Sequence, residues 1–232
     1  MPTFGGIVVP TGGAASDGRR TLLDVITELA QPINPSDDRV KALAADAFRS
    51  AVRTMNRKGC WPWEHQDEDV AITANNSFST VASAVKKPLA MHLLSAAGGV
   101  RDQKLSYMSY DRFMEVYDQN ITSQPTVYTL PNLFETGQVQ WWPIPSANDN
   151  ARFTFYRVTP APRVESEAVE IPDYAIEAYM ACAWYEFLKR LPSAQQPFPI
   201  AVALAEWRTA FREISAHVSS PGDRWRLIDV YA

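Results

Sequence analysis

The stretch PSDDRVKALAADAFRSAVRTMNRKG, residues 35–59, decides how the rest of the chain is read. Apolar residues recur at Val40, Leu43, Ala44, Ala47, Phe48, Ala51, Val52 and Met55, a spacing that puts one apolar stripe on an α-helix. Pro35-Ser36-Asp37-Asp38 brings capping oxygens and negative charge to the positive end of that helix, and Gly59 is placed to end it. Upstream, Thr21 precedes Leu22, Leu23, Val25, Ile26 and Leu29, with Asp24 three positions on. This is a capping-box-like start to a short helix that stops near Gln31-Pro32. Residues 1–20 hold five glycines and two prolines without an apolar period, and are expected to form a flexible arm.

Downstream of Gly59 the period changes. Trp61 and Trp63 alternate around Pro62, and Val70 and Ile72 alternate before the turn-like Ala74-Asn75-Asn76-Ser77. Phe78 to Leu94 reads as further strands, with Val81–Val85 also compatible with helix. Ser109 can cap a short helix carrying Phe113, Met114, Val116 and Tyr117. Strand-like runs at Thr126–Leu130, Gln138–Trp142 and Arg152–Thr159, separated by turn-rich segments, suggest a meander. Helix returns from Pro172-Asp173 to about Arg190, apolar on several sides and so in need of cover from the domain or a neighbouring subunit. A last helix runs from about Phe198 to Val218 and stops before Pro221-Gly222. Helices at both ends around a strand-rich middle predict an α+β fold: a helical bundle from the N- and C-terminal helices with a central antiparallel β-rich region. The expected organisation is an arm at 1–20, one domain over 21–219 (helices 21–59, β-rich middle 60–160, helices 172–219) and a tail at 220–232.

The 232 residues are 46% hydrophobic and 21% charged, which excludes a wholly disordered or fibrous chain. A net charge of -4 argues against a non-specific nucleic-acid binder. Cys60 and Cys182 give no disulfide framework. No secretory leader or membrane-spanning run is read, and the chain is expected to be soluble. Cys60, His65, Asp67 and Asp69 cluster in sequence, but as carboxylates after a Trp-rich turn they read as a solvated loop rather than a metal site. His92 with Ser95 has no oriented third member. No phosphate-binding, nucleophile-elbow or metal spacing occurs, so no catalytic residue, cofactor or metal is assigned.

Charge and aromatic content carry more. Arg49, Arg53 and Arg57 repeat at i+4 beside the apolar face of residues 35–59, while Glu165, Glu167, Glu170, Asp173 and Glu177 form an acidic stretch. These are either solvated faces or complementary surfaces of neighbouring copies, in which arginine makes bidentate pairs; a DNA-facing row is the weakest reading. Seven Trp, nine Tyr and ten Phe suit either core or interface. The tail places Arg224 and Arg226 around Trp225, followed by Leu227, Ile228, Val230 and Tyr231. It is expected to dock on a neighbouring partner subunit by strand addition, the alternative being packing on its own domain.

The order of these segments resembles the head-to-tail adaptor (connector) proteins of tailed bacteriophages, the family that includes tail tubular and tail accessory factors. The residues that carry the resemblance begin with the helix Asp37–Lys58, Trp61-Pro62-Trp63 and the strand Val70-Ala71-Ile72-Thr73. Next come the short helix Ser109–Tyr117 and Gln124-Pro125-Thr126-Val127-Tyr128, with Gln124 in place of a glycine before the proline. Trp142-Pro143-Ile144-Pro145, Phe155-Tyr156-Arg157-Val158-Thr159-Pro160 and Ile171-Pro172-Asp173-Tyr174 complete the series. The resemblance implies a structural virion protein, made in the host cytoplasm and placed at the head–tail junction. It would be monomeric until it meets the portal protein, and then form a ring with neighbouring adaptor subunits, commonly twelve copies. The ring would extend the DNA channel, in passing contact with the genome, and receive a tail nozzle or tail tube protein, with no membrane partner. The opposing expectations are a tail-associated cell-wall hydrolase, for which Glu64, Glu68 or Glu115 would have to pair across a cleft, and another head-closure or tail-terminator ring component.

Overall fold

In a computed structural model, residues 19–94, 100–117, 120–132 and 137–218 are described. The expected arm up to residue 18, Ser95 and the tail from 219 onward, with Arg224, Trp225, Arg226, Leu227, Ile228, Val230 and Tyr231, lie outside them. The fold is α+β. Its elements divide between two compact units, one built from both ends of the chain and the other from residues 60–158.

The helical unit contains α1 (Leu22–Ala30) and α2 (Asp38–Lys58). Thr21 and Asp24 form the expected capping box: Thr21 Oγ1 accepts from the Asp24 N–H at 3.3 Å, and Asp24 Oδ2 accepts from the Thr21 N–H at 2.8 Å. Two further orphan donors of α1 find partners, the Leu22 N–H on the Glu167 carbonyl and the Leu23 N–H on the Glu165 carbonyl. On α2, Asp37 caps the Arg39 N–H at 2.8 Å, and Val40, Ala44, Ala47, Phe48, Ala51, Val52 and Met55 are buried as the period requires. Each large side chain among them contributes about 1.5–3 kcal/mol by leaving water. Gly59 follows the helix in extended backbone, φ -177°, so the stop does not use the left-handed turn that a glycine there invites.

The strand-rich unit runs in chain order through β1 (His65–Ile72), β2 (Phe78–Thr80), β3 (Val85–Leu94), β4 (Val100–Lys104), β5 (Ser106–Tyr107) and α3 (Tyr110–Val116). It continues with β6 (Thr122–Ser123), β7 (Val127–Thr129), β8 (Gln138–Trp142), β9 (Ile144–Pro145) and β10 (Asp149–Arg157). One sheet has the order β1-β10-β3-β4 and a second β2-β8-β7-β5, with β6 and β9 forming a short parallel pair. Val70, Ile72, Met91, Leu93, Phe153 and Phe155 from the first sheet join Tyr128, Val139 and Trp141 from the second in a single apolar core. Trp141 is buried and its indole N–H donates to Ser79 Oγ at 3.0 Å.

Three expectations change. The meander does not form, because β10 leaves β7 and β8 and inserts between β1 and β3; there Ala151, Phe153 and Phe155 face the core while Arg152 and Thr154 point outward. Pairing is not wholly antiparallel, since β5 runs parallel to β7 and β6 to β9. The acidic run after Trp63 is strand rather than loop, because Asp67 and Asp69 find cross-strand partners in Thr154 and Arg152. Strands β2 and β3 fill most of 78–94, and residues 81–84 between them form an irregular bend rather than a helix. Ser109 occupies the cap of α3 without a side-chain hydrogen bond.

Beyond the strand-rich unit the chain re-enters the helical one and forms α4 (Asp173–Leu188) and α5 (Ile200–Val218). α4 buries Ala175, Ile176, Ala178, Tyr179, Met180, Cys182, Ala183, Phe187 and Leu188, against α2 on one side and α5 on another. The cover that its all-round apolarity demands comes from its own unit. No helix among the described residues is long and apolar enough to cross a membrane.

Candidate partner interface

Of the arginine row on α2, the first member is committed inside the helical unit. Arg49 donates from Nε to the Pro162 carbonyl at 2.9 Å, from Nη2 to the Arg163 carbonyl at 2.7 Å and from Nη1 to Asp46 at 3.1 Å. Its planar fork holds the loop that leads into the acidic stretch. Arg53 and Arg57, one and two turns further, are exposed. The row therefore divides, one arginine spent on folding and two presented to solvent.

The acidic stretch divides in the same way. Glu167 folds its carboxylate back onto its own loop, accepting from the Arg163 N–H at 2.6 Å and the Val164 N–H at 3.4 Å. Its backbone and that of Glu165 accept from the first turn of α1, where the N-terminal partial charge favours carboxylates nearby. The Glu165, Asp173 and Glu177 side chains are exposed, and Glu170 is half-buried. The predicted interface residues thus include two fixed groups, Arg49 and Glu167, whose fixing shapes the surface on which the rest stand.

The sequence reading missed an exposed apolar surface on the strand-rich unit. On and around α3, Tyr107, Tyr110, Met114, Val116 and Ile121 are all more than a third exposed, and only Phe113 of the helix is buried. The signal was present only in part: Met114, next to Phe113, falls on another face of the helix, whereas Val116, three positions on, shares the face of Phe113 by spacing and is exposed at the helix end. The aromatic surplus mostly goes into folding. Trp61 is buried and stacks on Trp63 at 5.3 Å, and Tyr117 lies on Trp142 at 4.1 Å.

The other sequence candidates occupy structural positions. Glu64 Oε2 accepts from the Trp61 N–H at 3.0 Å and from Lys86 Nζ at 2.7 Å, inside the strand-rich unit. Glu68 accepts from the Ala82 N–H at 2.7 Å, and Glu115 is exposed on α3. Asp69 takes a bidentate pair from Arg152 at 2.8 and 3.0 Å, Asp67 accepts from the Thr154 hydroxyl at 2.5 Å, and His65 meets the Tyr156 ring edge-on. Burial pushes the thiol of Cys60 up. Among the described residues no group of three or more His, Cys, Asp or Glu could hold a metal ion. No family model matches this sequence, and no curated protein matches it either.

Proposed function

We propose that this chain is a structural virion protein, a head-to-tail adaptor of a tailed bacteriophage that forms a ring beneath the portal and offers the tail its attachment site. The observation that supports this reading is the interruption of a four-helix unit by a strand-rich unit between Gly59 and Thr159, the architecture that the family resemblance implies. The exposed charges fit repeated side-by-side contacts: Arg53 and Arg57 on one element, Glu165 and Asp173 on others, pairing between neighbouring copies. The exposed apolar side chains around α3 offer a second surface, for the portal or the tail. Its role is mechanical, with no bond made or broken.

The experiment mixes the purified chain with the portal protein encoded in the same genome and weighs the products by mass photometry. The chain alone runs as a monomer, and the mixture gains a ring of adaptor copies, twelve on a twelvefold portal. Arg53→Glu with Arg57→Glu leaves the helical spectrum intact and abolishes the ring, and Glu165→Arg restores part of it. Failure of the unmodified chain to bind the portal overturns the reading.

A further inference from the structure

The first turns of α4 and the last turns of α5 leave a groove of about 250 Å³ between them, lined by Tyr174, Glu177 and Ala178 on one side and Ala210, Glu213 and Ile214 on the other. Ala178 and Ile214 give it an apolar floor, while Tyr174, 54% exposed, stands over it as an incompletely covered ring. Glu177 and Glu213 are both exposed and set one carboxylate on each helix. The groove is apolar in the middle and acidic at its sides.

The geometry points to the chain's own C-terminal segment as the occupant, with Trp225 in the groove and Arg224 and Arg226 against Glu177 and Glu213. Three observations select it. First, the charge and size pattern matches: the segment carries one large ring between two cations, where the groove carries an apolar floor between two carboxylates. Second, the reach is ample. α5 ends at Val218, four residues or about 6 Å past Ile214. The seven residues from there to Trp225 span up to about 23 Å when extended, and they include the turn-forming Pro221-Gly222. Third, a short tether holds the segment at an effective concentration of about millimolar, far above that of any second copy in a dilute solution. The assignment places the segment on its own helical unit rather than on the partner that its sequence suggests, and it stands whether or not the adaptor reading holds.

The test is photo-crosslinking of the full-length chain with p-benzoylphenylalanine in place of Trp225, at low micromolar concentration, using an equal mixture of ¹⁴N- and ¹⁵N-labelled protein. Crosslinks within single chains to residues 174–178 or 210–214 are expected. Crosslinks that join the two isotopes would make the occupant a second copy and overturn the assignment, as would crosslinks to any other region or none at all. As a second arm, Glu177→Lys with Glu213→Lys should lower the crosslink yield about threefold, the scale of two exposed ion pairs. Adding Arg224→Glu with Arg226→Glu should restore it. A yield that ignores the reversal shows that charge does not seat the segment and overturns that half of the assignment. Circular dichroism confirms that each variant keeps its helices.

Discussion

Asn56 and Thr159, 103 positions apart in sequence, exchange two hydrogen bonds inside the helical unit: Asn56 Nδ2 donates to the Thr159 carbonyl at 2.9 Å, and the Thr159 N–H donates to Asn56 Oδ1 at 3.2 Å. Both residues are buried. The amide side chain acts as a strand edge would, and it clamps the point where the chain leaves this unit to the point where it returns. Asn56→Ala should cost about 1–3 kcal/mol, because two hydrogen bonds to the Thr159 backbone are lost away from water. Urea unfolding with an unchanged slope checks it, and a loss below a few tenths would show that the clamp is dispensable.

A second buried pair sits in the strand-rich unit. Lys86 Nζ lies 2.7 Å from Glu64 Oε2, with side chains 4% and 0% exposed. The same carboxylate oxygen accepts from the Trp61 N–H, closing the turn that carries the stacked Trp61 and Trp63. Removing one partner leaves an uncompensated buried charge, so Glu64→Gln is expected to destabilise by about 3–5 kcal/mol. Replacing both, with Glu64→Gln and Lys86→Met, should cost much less than either single change, since both buried charges disappear together while the amide oxygen still accepts from the Trp61 N–H. A double-mutant cycle by chemical denaturation reads the difference.

The parts of this fold that were legible are those where a local period reports burial. α2 could be outlined from its apolar spacing, and α1 from Thr21 and Asp24 three positions apart, because capping and helical stripes are settled within a few residues. The place of β10 was not legible. Its alternation identifies a strand, but nothing in Arg152–Thr159 says that its neighbours are β1 and β3, chosen by packing across the chain. The same limit explains the interface residues. Arg49, Arg53 and Arg57 are equivalent by spacing, and only the loop at Pro162 and Arg163, more than a hundred residues away, separates the first from the other two.

Gly137 accounts for one close approach. Its carbonyl accepts from the Val81 N–H at 2.7 Å, and a methyl group added to it would press on the backbone carbonyl and side chain of Val81 and come within 2.7 Å of the Ser83 carbonyl. The Val81 N–H bond to Gly137 holds that stretch of backbone close, so the carbonyls have little room to step aside. Gly137→Ala is therefore expected to lower stability by about 1–3 kcal/mol, as overpacking does elsewhere. The melting temperature should fall by several degrees, and an unchanged melt would mean that the loop opens at no cost.

The last expectation concerns pH and the outward face of the first sheet. The hydrogen bonds and charge of Arg152 hold the Asp69 carboxyl below the usual carboxylate range. The sign follows from linkage. A carboxylate with a depressed folded value contributes stability that is present above its unfolded value, about 3.9, and that is lost as the pH falls through the lower folded value. Arg152→Gln should return Asp69 towards the ordinary range, seen directly by carboxyl-carbon NMR titration. The variant should melt below the unmodified protein at neutral pH, and the gap should close as the solution is acidified past the folded value. Because both side chains are about half exposed, the gap should also shrink on adding salt. If Asp69 titrates at the same pH in the variant, the depression comes from elsewhere on the sheet and the pair is ornamental.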